Sequence, residues 1–360
     1  MAETTAAAAP PRPARRLPGW APLALMTLLM LAVGGYAAGR NADFYSEYNL
    51  NTLLGSSGAL ALALVAMGQV NALMVGGFDI SVGALMTLTV VIGSKGLLTT
   101  GAAWYTLLLG SLALVAIGLG TGLLNAFLIR KVGLPSIIAT LATLSVLQGI
   151  SLYLRPTIGG EISVDFLDAL NTTVWGYIPV AFIGVVVLAV LGDLWLYRTS
   201  GGLTARAVGL DESSSRRAGA PSERIVWRSF ILCSVLAAIA GLFLAASIGT
   251  GDPRPGAASH FALTSIAAAV LGGASLLGGR GSFVGAVLGA VFLSLIINIL
   301  PLENILPGFL REWTDALQQI SIGTLTLLAL VLYQGPELWA RARTAWRDLR
   351  RSRLREAART

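Results

Sequence analysis

Few residues of this chain could do chemistry, and the most prominent of them lie in one short polar break between two apolar stretches. The break, residues 75–83, reads VGGFDISVG and carries a carboxylate, Asp79, and a hydroxyl, Ser81. A charged side chain at bilayer depth costs at least about 2.5 to 3.5 kcal/mol on insertion scales, so it usually faces a cavity or a partner. Asp79 and Ser81 could cap the following helix by accepting bonds from its first N–H groups. Alternatively, together with Phe78, they could contact a transported solute or its gate.

Two amides inside apolar stretches, Gln69 and Asn298, could line the same route. A single amide in a membrane helix more often bonds a neighbouring helix. The candidate residues of a translocation pathway are therefore Asp79, Ser81, Phe78, Gln69 and Asn298.

Glycines flank the break and recur in a second segment, residues 271–282, which reads LGGASLLGGRGS. Glycine has no Cβ atom, so it allows both an unwound backbone and close helix approach. A P-loop needs a Lys followed by Ser or Thr, and the chain has no such pair, so the sequence predicts no nucleotide site. We expect a structural role for Gly76, Gly77, Gly83, Gly272, Gly273, Gly278, Gly279 and Gly281.

Catalysis by the chain itself has little support in its sequence. One cysteine and one histidine exclude an intramolecular disulfide and argue against a thiolate or imidazole metal site. The stretch GSSG, residues 55–58, matches the G-x-S-G pattern of intramembrane serine proteases, with Ser57 as nucleophile and His260 as the only available base. Because four-residue patterns of common membrane residues recur by chance, the protease stays a remote alternative.

The elements that position these residues are predicted to be membrane helices. The chain is 55% hydrophobic and 12% charged, against about 25% charged in soluble domains. A span needs roughly 20 mostly apolar residues. Ten apolar runs predict an all-α polytopic membrane protein with glycine-rich broken helices. They lie near Trp20–Gly39, Leu50–Met74, Ile80–Ile92, Ala103–Ile129, Leu134–Leu154, Tyr177–Leu196, Ser229–Gly249, Ala262–Leu277, Phe283–Leu300 and Ile320–Tyr333.

The basic residues predict the orientation, because Lys and Arg near span ends stay on the cytoplasmic side. With both termini inside, 20 of the 25 Lys and Arg residues fall on the inner side. The net charge of +7 thus reflects membrane topology, and no nucleic-acid partner is expected. Three regions follow: a disordered cytoplasmic tail (1–18), a transmembrane permease domain (19–335), and a basic cytoplasmic tail (336–360) that could form an interfacial helix on anionic lipid.

The only long inner loop, residues 198–228, could simply be solvated, but its regular patterning favours a docking element for a soluble cytoplasmic partner. The loop has a predicted turn at Gly201-Gly202, followed by a stretch that could form a helix. Residues Gly219–Pro221 would end that helix. The candidate docking residues are Gly209, Asp211, Glu212, Arg216, Arg217 and Gly219.

Four stretches resemble the ribose-type (simple sugar) permeases of ABC importers. Residues 75–88, VGGFDISVGALMTL, resemble that family's GGxDLSVG signature, and residues 265–292 resemble its second glycine-rich segment. Residues 133–150 are similar to the segment between them, and residues 207–221 look like the cytoplasmic segment that contacts the ATPase. The similarity covers about residues 50–335, in the same order as in the family.

The resemblance implies a translocation subunit of the bacterial inner membrane, not an enzyme. In such importers a periplasmic binding protein delivers the solute, here a monosaccharide or similar small polar molecule. A separate cytoplasmic ATPase hydrolyses ATP, so this chain is expected to bind no cofactor. A second permease copy, as homodimer or heterodimer, is implied as well. The alternative is an ion-coupled secondary transporter with Asp79 as the coupling carboxylate.

Overall fold

A computed structural model describes residues 21–55, 58–254, 259–302, 305, 312–328 and 331. Both predicted tails and Ser57 lie outside these residues. The α-helices are α1 (Ala21–Arg40), α2 (Glu47–Leu54), α3 (Ala59–Met74), α4 (Val82–Ile92), α5 (Trp104–Phe127), α6 (Ser136–Leu154), α7 (Val164–Leu170), α8 (Val180–Arg198), α9 (Ser200–Leu210), α10 (Glu212–Arg217), α11 (Ser222–Ile248), α12 (Ser259–Leu271), α13 (Phe283–Ile299) and α14 (described over residues 314–328).

Each of the ten predicted apolar runs overlaps at least one helix. By length and composition, five helical stretches could cross a membrane: Glu47–Met74, Trp104–Val132, Ser136–Leu154, Val180–Arg198 and Ser222–Ile248. The all-α membrane class is therefore confirmed, while the number of ten spans and the side of the termini stay predictions.

The helices differ from the predicted apolar runs in three places. The run Leu50–Met74 divides into α2 and α3, and α12 ends at Leu271, where the second glycine segment begins. The helix α11 begins at Ser222, seven residues before the predicted start. The first part of α11 carries Glu223, Arg224 and Arg228, and such charged residues are tolerated at the end of a membrane helix that reaches water.

The helix α3 is the centre of the described structure, since every one of its sixteen residues is buried. The next helix, α4, buries all of its residues except the last. Helices α5, α6, α11, α12 and α13 pack around this pair. By contrast, α8 buries only Val185, Ala189 and Leu196, so most of its apolar surface is left for lipid or another chain. The polar break between α3 and α4 therefore lies in the core of the protein.

Small residues let several of these helices pack closely, as expected without a strong hydrophobic drive between helices in lipid. A Cβ atom on Gly289 of α13 would lie 2.1 Å from the carbonyl oxygen of Ala268 in α12. One on Gly272, just after α12, would lie 2.1 Å from the backbone of Gly285. The start of the second glycine segment is thus packed closely against the first turn of α13.

On the side predicted to be outside, the loops form two short antiparallel ribbons. Strand β1 (Gly159–Glu161) pairs with β4 (Thr250–Gly251), and β2 (Thr173–Val174) pairs with β3 (Ile178–Pro179). On the opposite side, the predicted docking loop folds into α9 and α10. Asp211 is the N-cap residue of α10, and its carboxylate accepts from the backbone N–H of Ser214 at 3.1 Å.

Candidate functional site

Asp79 is fully buried and is held by donors from three parts of the chain. Its Oδ1 accepts from the backbone N–H of Ser81 at 3.0 Å and from the Ser81 hydroxyl at 2.5 Å. Its Oδ2 accepts from the Ser234 hydroxyl of α11 at 3.3 Å. Gln69 of α3 donates to the backbone oxygen of Asp79 at 2.6 Å. The carboxylate therefore connects the break to α11, and the backbone oxygen of the same residue connects it to α3.

Asn125 of α5 extends this cluster to a third helix. Its amide nitrogen lies 3.0 Å from the Ser81 hydroxyl and 3.5 Å from each carboxylate oxygen of Asp79. Thr143 of α6 donates to the Asn125 oxygen at 2.7 Å, which directs the amide nitrogen toward the carboxylate. Among the ion pairs of the described residues, none involves Asp79. Neutral donors alone surround it.

This arrangement corrects the prediction that Asp79 and Ser81 cap the next helix. Ser81 is at the N-cap of α4, but its side chain makes no capping bond. Asp79 instead closes a turn onto Ser81 and joins α3, α5 and α11 to the break. Neither residue is exposed to a cavity here, and the half-buried Phe78 bonds Ser136 and Thr140 of α6 through its backbone. Their contact with solute stays a prediction.

The two glycine segments meet the docking loop at one point. The backbone N–H of Gly279 donates to the carbonyl oxygen of Met74, the last residue of α3, at 2.9 Å. A Cβ atom on Gly209 of α9 would lie 1.8 Å from that same oxygen and 2.5 Å from the nitrogen of Gly279. A Cβ atom on Gly278 would lie 2.4 Å from the carbonyl oxygen of Gly209. We call this contact of Met74, Gly209, Gly278 and Gly279 the three-way junction.

The predicted glycines have different structural surroundings. Gly278 and Gly279 have φ values of +90° and +73°, so both need the left-handed conformation that glycine adopts without strain. Positive φ values are also found at Gly76 and Gly273. Close packing by neighbouring residues surrounds Gly77, Gly272 and Gly281. The remaining one, Gly83, is buried within α4.

A carboxylate that the sequence analysis missed holds the start of α13. Asp193 lies inside the apolar run of α8, and it accepts from the Ser282 hydroxyl at 2.6 Å and from the backbone N–H of Phe283 at 2.7 Å. A third bond comes from the N–H of Val284 at 3.3 Å. Negative charge at a helix N-terminus is favourable, since the first N–H groups lack partners within the helix. A lone Asp in an apolar run was the signal that could have identified it.

Most of the predicted docking residues remain accessible. Asp211, Arg216, Arg217 and Gly219 are exposed, whereas Gly209 and Glu212 are partly buried. Both carboxylates of this segment are held in the ionised form. The hydrogen bond from Arg130 lowers the pKa of Glu212, and the hydroxyl and N–H of Ser214 lower that of Asp211.

The ion pair of Arg130 with Glu212 joins the end of α5 to the docking segment. Arg216 lies 3.3 Å from the same carboxylate, and Lys131 lies 2.6 Å from Glu223 at the start of α11. These contacts hold α10 and the start of α11 against the segment that follows α5. From the sequence, Arg130 indicates only membrane topology, because nothing in the sequence pairs it with a residue 82 positions away.

The remaining candidates lie apart from the Asp79 cluster. Asn298 is at the other end of α13, where its amide nitrogen donates to Asn49 at 3.0 Å. His260 lies in the first turn of α12. The described residues contain no group of His, Cys, Asp or Glu that could hold a metal ion.

Comparisons with known proteins identify the class of protein that carries these features. Residues 51–330 match the family described as branched-chain amino acid transport system / permease component. The autoinducer 2 import system permease protein LsrC of Yersinia enterocolitica is 31% identical over 80% of this chain and 76% of its own length. The protein of the same name from Photorhabdus laumondii is 32% identical over 81% of this chain and 83% of its own length. The one from Escherichia coli O157:H7 is 32% identical over 86% of this chain and 85% of its own length. No solved structure matches the chain significantly.

Proposed function

The chain belongs to this family of importer permease components, and we propose that it translocates a monosaccharide or similar small polar solute across the bacterial inner membrane. The family confirms the sequence resemblance to the sugar-type permeases of ABC importers. The finer assignments are our proposal: delivery by a periplasmic binding protein, a second permease copy, and no cofactor bound by this chain. We also propose that both termini are cytoplasmic.

Three relatives are named as importers of autoinducer 2, while the family description names branched-chain amino acids. These names therefore do not select one solute for this chain. The monosaccharide is favoured by the sequence resemblance, and it needs a direct test.

The observation that carries the proposed coupling to an ATPase is the three-way junction. The helix α9 belongs to the docking loop. Its Gly209 packs so closely on Met74 and Gly279 that no room is left for a Cβ atom. Protein interiors are close-packed, so α9 cannot move toward the core without displacing the ends of both broken segments. A cytoplasmic ATPase that binds the exposed residues of α10 would therefore act on the two breaks through backbone contact.

The docking claim is tested by reversing charge on the exposed face of α10. We expect the double variant Arg216→Glu/Arg217→Glu to reach the membrane in normal amount and to lose both ATP-driven uptake and stimulation of the partner ATPase. Arg254→Glu is the matched control, because Arg254 is equally exposed but lies on the side predicted to be outside. Normal uptake by the double variant would overturn the docking claim.

A second mechanism, ion-coupled transport through Asp79, is kept because this buried carboxylate has no cationic partner in the described residues. Uptake into energised vesicles separates the two mechanisms. Uptake that needs ATP and survives a protonophore supports the ABC mechanism. Uptake that survives loss of ATP and collapses with the protonophore would replace it with the ion-coupled one.

A further inference from the structure

A cavity of about 220 Å³ opens between α3, α8, α9, α11 and the start of α13, on the side of the docking loop. Its volume lies below the range of about 300 to 1,000 Å³ in which whole small ligands are enclosed. The cavity therefore suits one part of a larger molecule that continues outside the protein. The Asp79 cluster contributes no residue to its described lining, whereas Met74 of the three-way junction borders it.

The deep wall of this cavity is apolar. Its buried members are Val70, Met74, Leu196, Ala205, Ile225 and Phe283. Two of the polar groups on the wall are already used within the protein. The amide of Asn71 donates to the backbone oxygen of Met67 at 3.0 Å, and the hydroxyl of Thr204 donates to that of Ser200 at 2.7 Å. Hydrocarbon fits such a wall better than a polar solute, which would lose its bonds to water there.

The mouth of the cavity has an apolar side and a polar side. Trp195 and Leu232 border it and are 43% and 46% exposed, whereas Ser200 and Arg228 border it with exposed polar groups. Leu232 follows Arg228 by one turn of α11, a rise of about 6 Å. The apolar runs predicted from the sequence end at Leu196 and begin again at Ser229. The mouth therefore lies at the predicted boundary between hydrocarbon and headgroups, the level at which Trp is enriched.

Arg228 is the one charged residue of the described lining, and no ion pair of the described residues involves it. A guanidinium group binds phosphate oxygens through two parallel N–H bonds. An arginine at the end of a span can also extend to headgroups without any specific site. Here, however, an apolar cavity of limited size lies beside the guanidinium, so one lipid molecule can occupy both at once.

We propose that this cavity binds one acyl chain of an anionic phospholipid, whose phosphate is held by Arg228. The lipid belongs to the leaflet on the side of the docking loop. Its chain would fill the space between the docking helix α9 and α3, next to Met74 of the three-way junction. The inference goes beyond the proposed function, because a lipid site does not depend on which solute is imported.

The test is native mass spectrometry of the full-length permease, delipidated in detergent and titrated with phosphatidylglycerol. We expect one lipid per chain to bind saturably. The net-neutral phosphatidylcholine should need about fivefold more lipid for half-saturation, since a basic residue near the membrane surface attracts anionic lipid by about 1 kcal/mol. Glycerol 3-phosphate carries the phosphate without acyl chains, so it should not displace the lipid even in large excess.

A pair of arginine variants tests the phosphate contact. Arg228→Gln should raise the half-saturating concentration of phosphatidylglycerol about tenfold, as expected for loss of a hydrogen bond between charged groups. Arg224→Gln is the matched control, because Arg224 is also exposed and lies one turn earlier on the same helix but does not border the cavity. Equal weakening by the two variants would mean unspecific attraction to a basic surface, and would overturn the site.

A pair of alanine variants tests the acyl-chain contact. Ala205→Leu adds bulk to the cavity wall from α9 and should prevent retention of the lipid. Ala207→Leu is the matched control, because Ala207 is exposed on the same helix and does not border the cavity. The arginine pair decides the question even if Ala205→Leu does not fold, since both arginines are exposed.

Three other results would overturn the site: no saturable binding, equal affinity for the two lipids, or displacement by glycerol 3-phosphate, which would indicate a site for soluble anions. Lipid retained by permease monomers and absent from dimers would mean that a second copy covers the cavity, and would overturn it too. The measurement uses neither solute nor ATPase. Its failure therefore leaves the proposed import function untouched, and loss of ATP-driven uptake would leave the lipid site standing.

Discussion

Gly209 of α9 lies against the carbonyl oxygen of Met74 so closely that a Cβ atom would come within 1.8 Å of it. We expect Gly209→Ala to push α9 away from the ends of both broken segments, at a cost of about 1 to 3 kcal/mol. ATP-driven uptake should fall strongly, while the amount of permease in the membrane changes little. The control is Gly201→Ala in the same helix, where the added Cβ makes only ordinary contact with Trp195, 3.5 Å away. Equal uptake by the two variants would contradict a role of the junction in coupling.

Asp79→Asn tests whether the buried carboxylate is a brace. The amide would direct an NH2 group at donors that now converge on the two carboxylate oxygens, from Ser81, Ser234 and Asn125. A buried donor left without a partner costs about 1 to 3 kcal/mol. We expect a lower melting temperature in nanodiscs for Asp79→Asn and no change for the exposed control Asp168→Asn. A variant as stable as the parent that loses ion-coupled uptake would instead support the secondary-transporter mechanism.

The sequence predicted the helical class and the two glycine breaks, because apolar runs and glycine pairs are local signals. It could not predict that Met74, Gly209 and Gly279 meet at one point, since that contact joins positions more than 60 residues apart. The environment of Asp79 was missed for the same reason. Its partners Asn125, Thr143 and Ser234 look like single polar residues in unrelated helices until the helices pack. Asn298 was predicted, but its hydrogen bond is to Asn49, which only the structure brings within reach.

Asp193→Asn should weaken the start of α13. The carboxylate accepts from the Ser282 hydroxyl and from two backbone N–H groups, and loss of such a cap costs about 0.5 to 2 kcal/mol. The melting temperature should therefore fall. Ser282→Ala should lower the melting temperature more in the parent than in the Asp193→Asn variant, because the two side chains share one hydrogen bond. Strictly additive effects would show that Asp193 does not act through Ser282.

The docking segment should be sensitive to acid through Glu212. Its pKa is lowered below the usual value near 4.5 chiefly by the hydrogen bond from Arg130. A carboxyl whose pKa is depressed in the folded protein adds stability above its unfolded pKa, and this contribution is lost as the pH falls through the folded value. We expect the stability difference between the parent and Glu212→Gln to be constant above about pH 5.5 and to shrink below about pH 4.5.

The side chain of Glu212 is 39% exposed, so solvent limits its pair with Arg130 to about 0.2 to 1 kcal/mol. The measurement is the melting temperature of both proteins from pH 7 down to pH 4. Arg130→Gln is the matched control: without its guanidinium only Arg216 pairs with Glu212, so the stability difference caused by Glu212→Gln should depend less on pH. A difference that grows toward acid pH would mean that the protonated carboxyl is the stabilising form, and that α10 is held to α5 by something other than this ion pair.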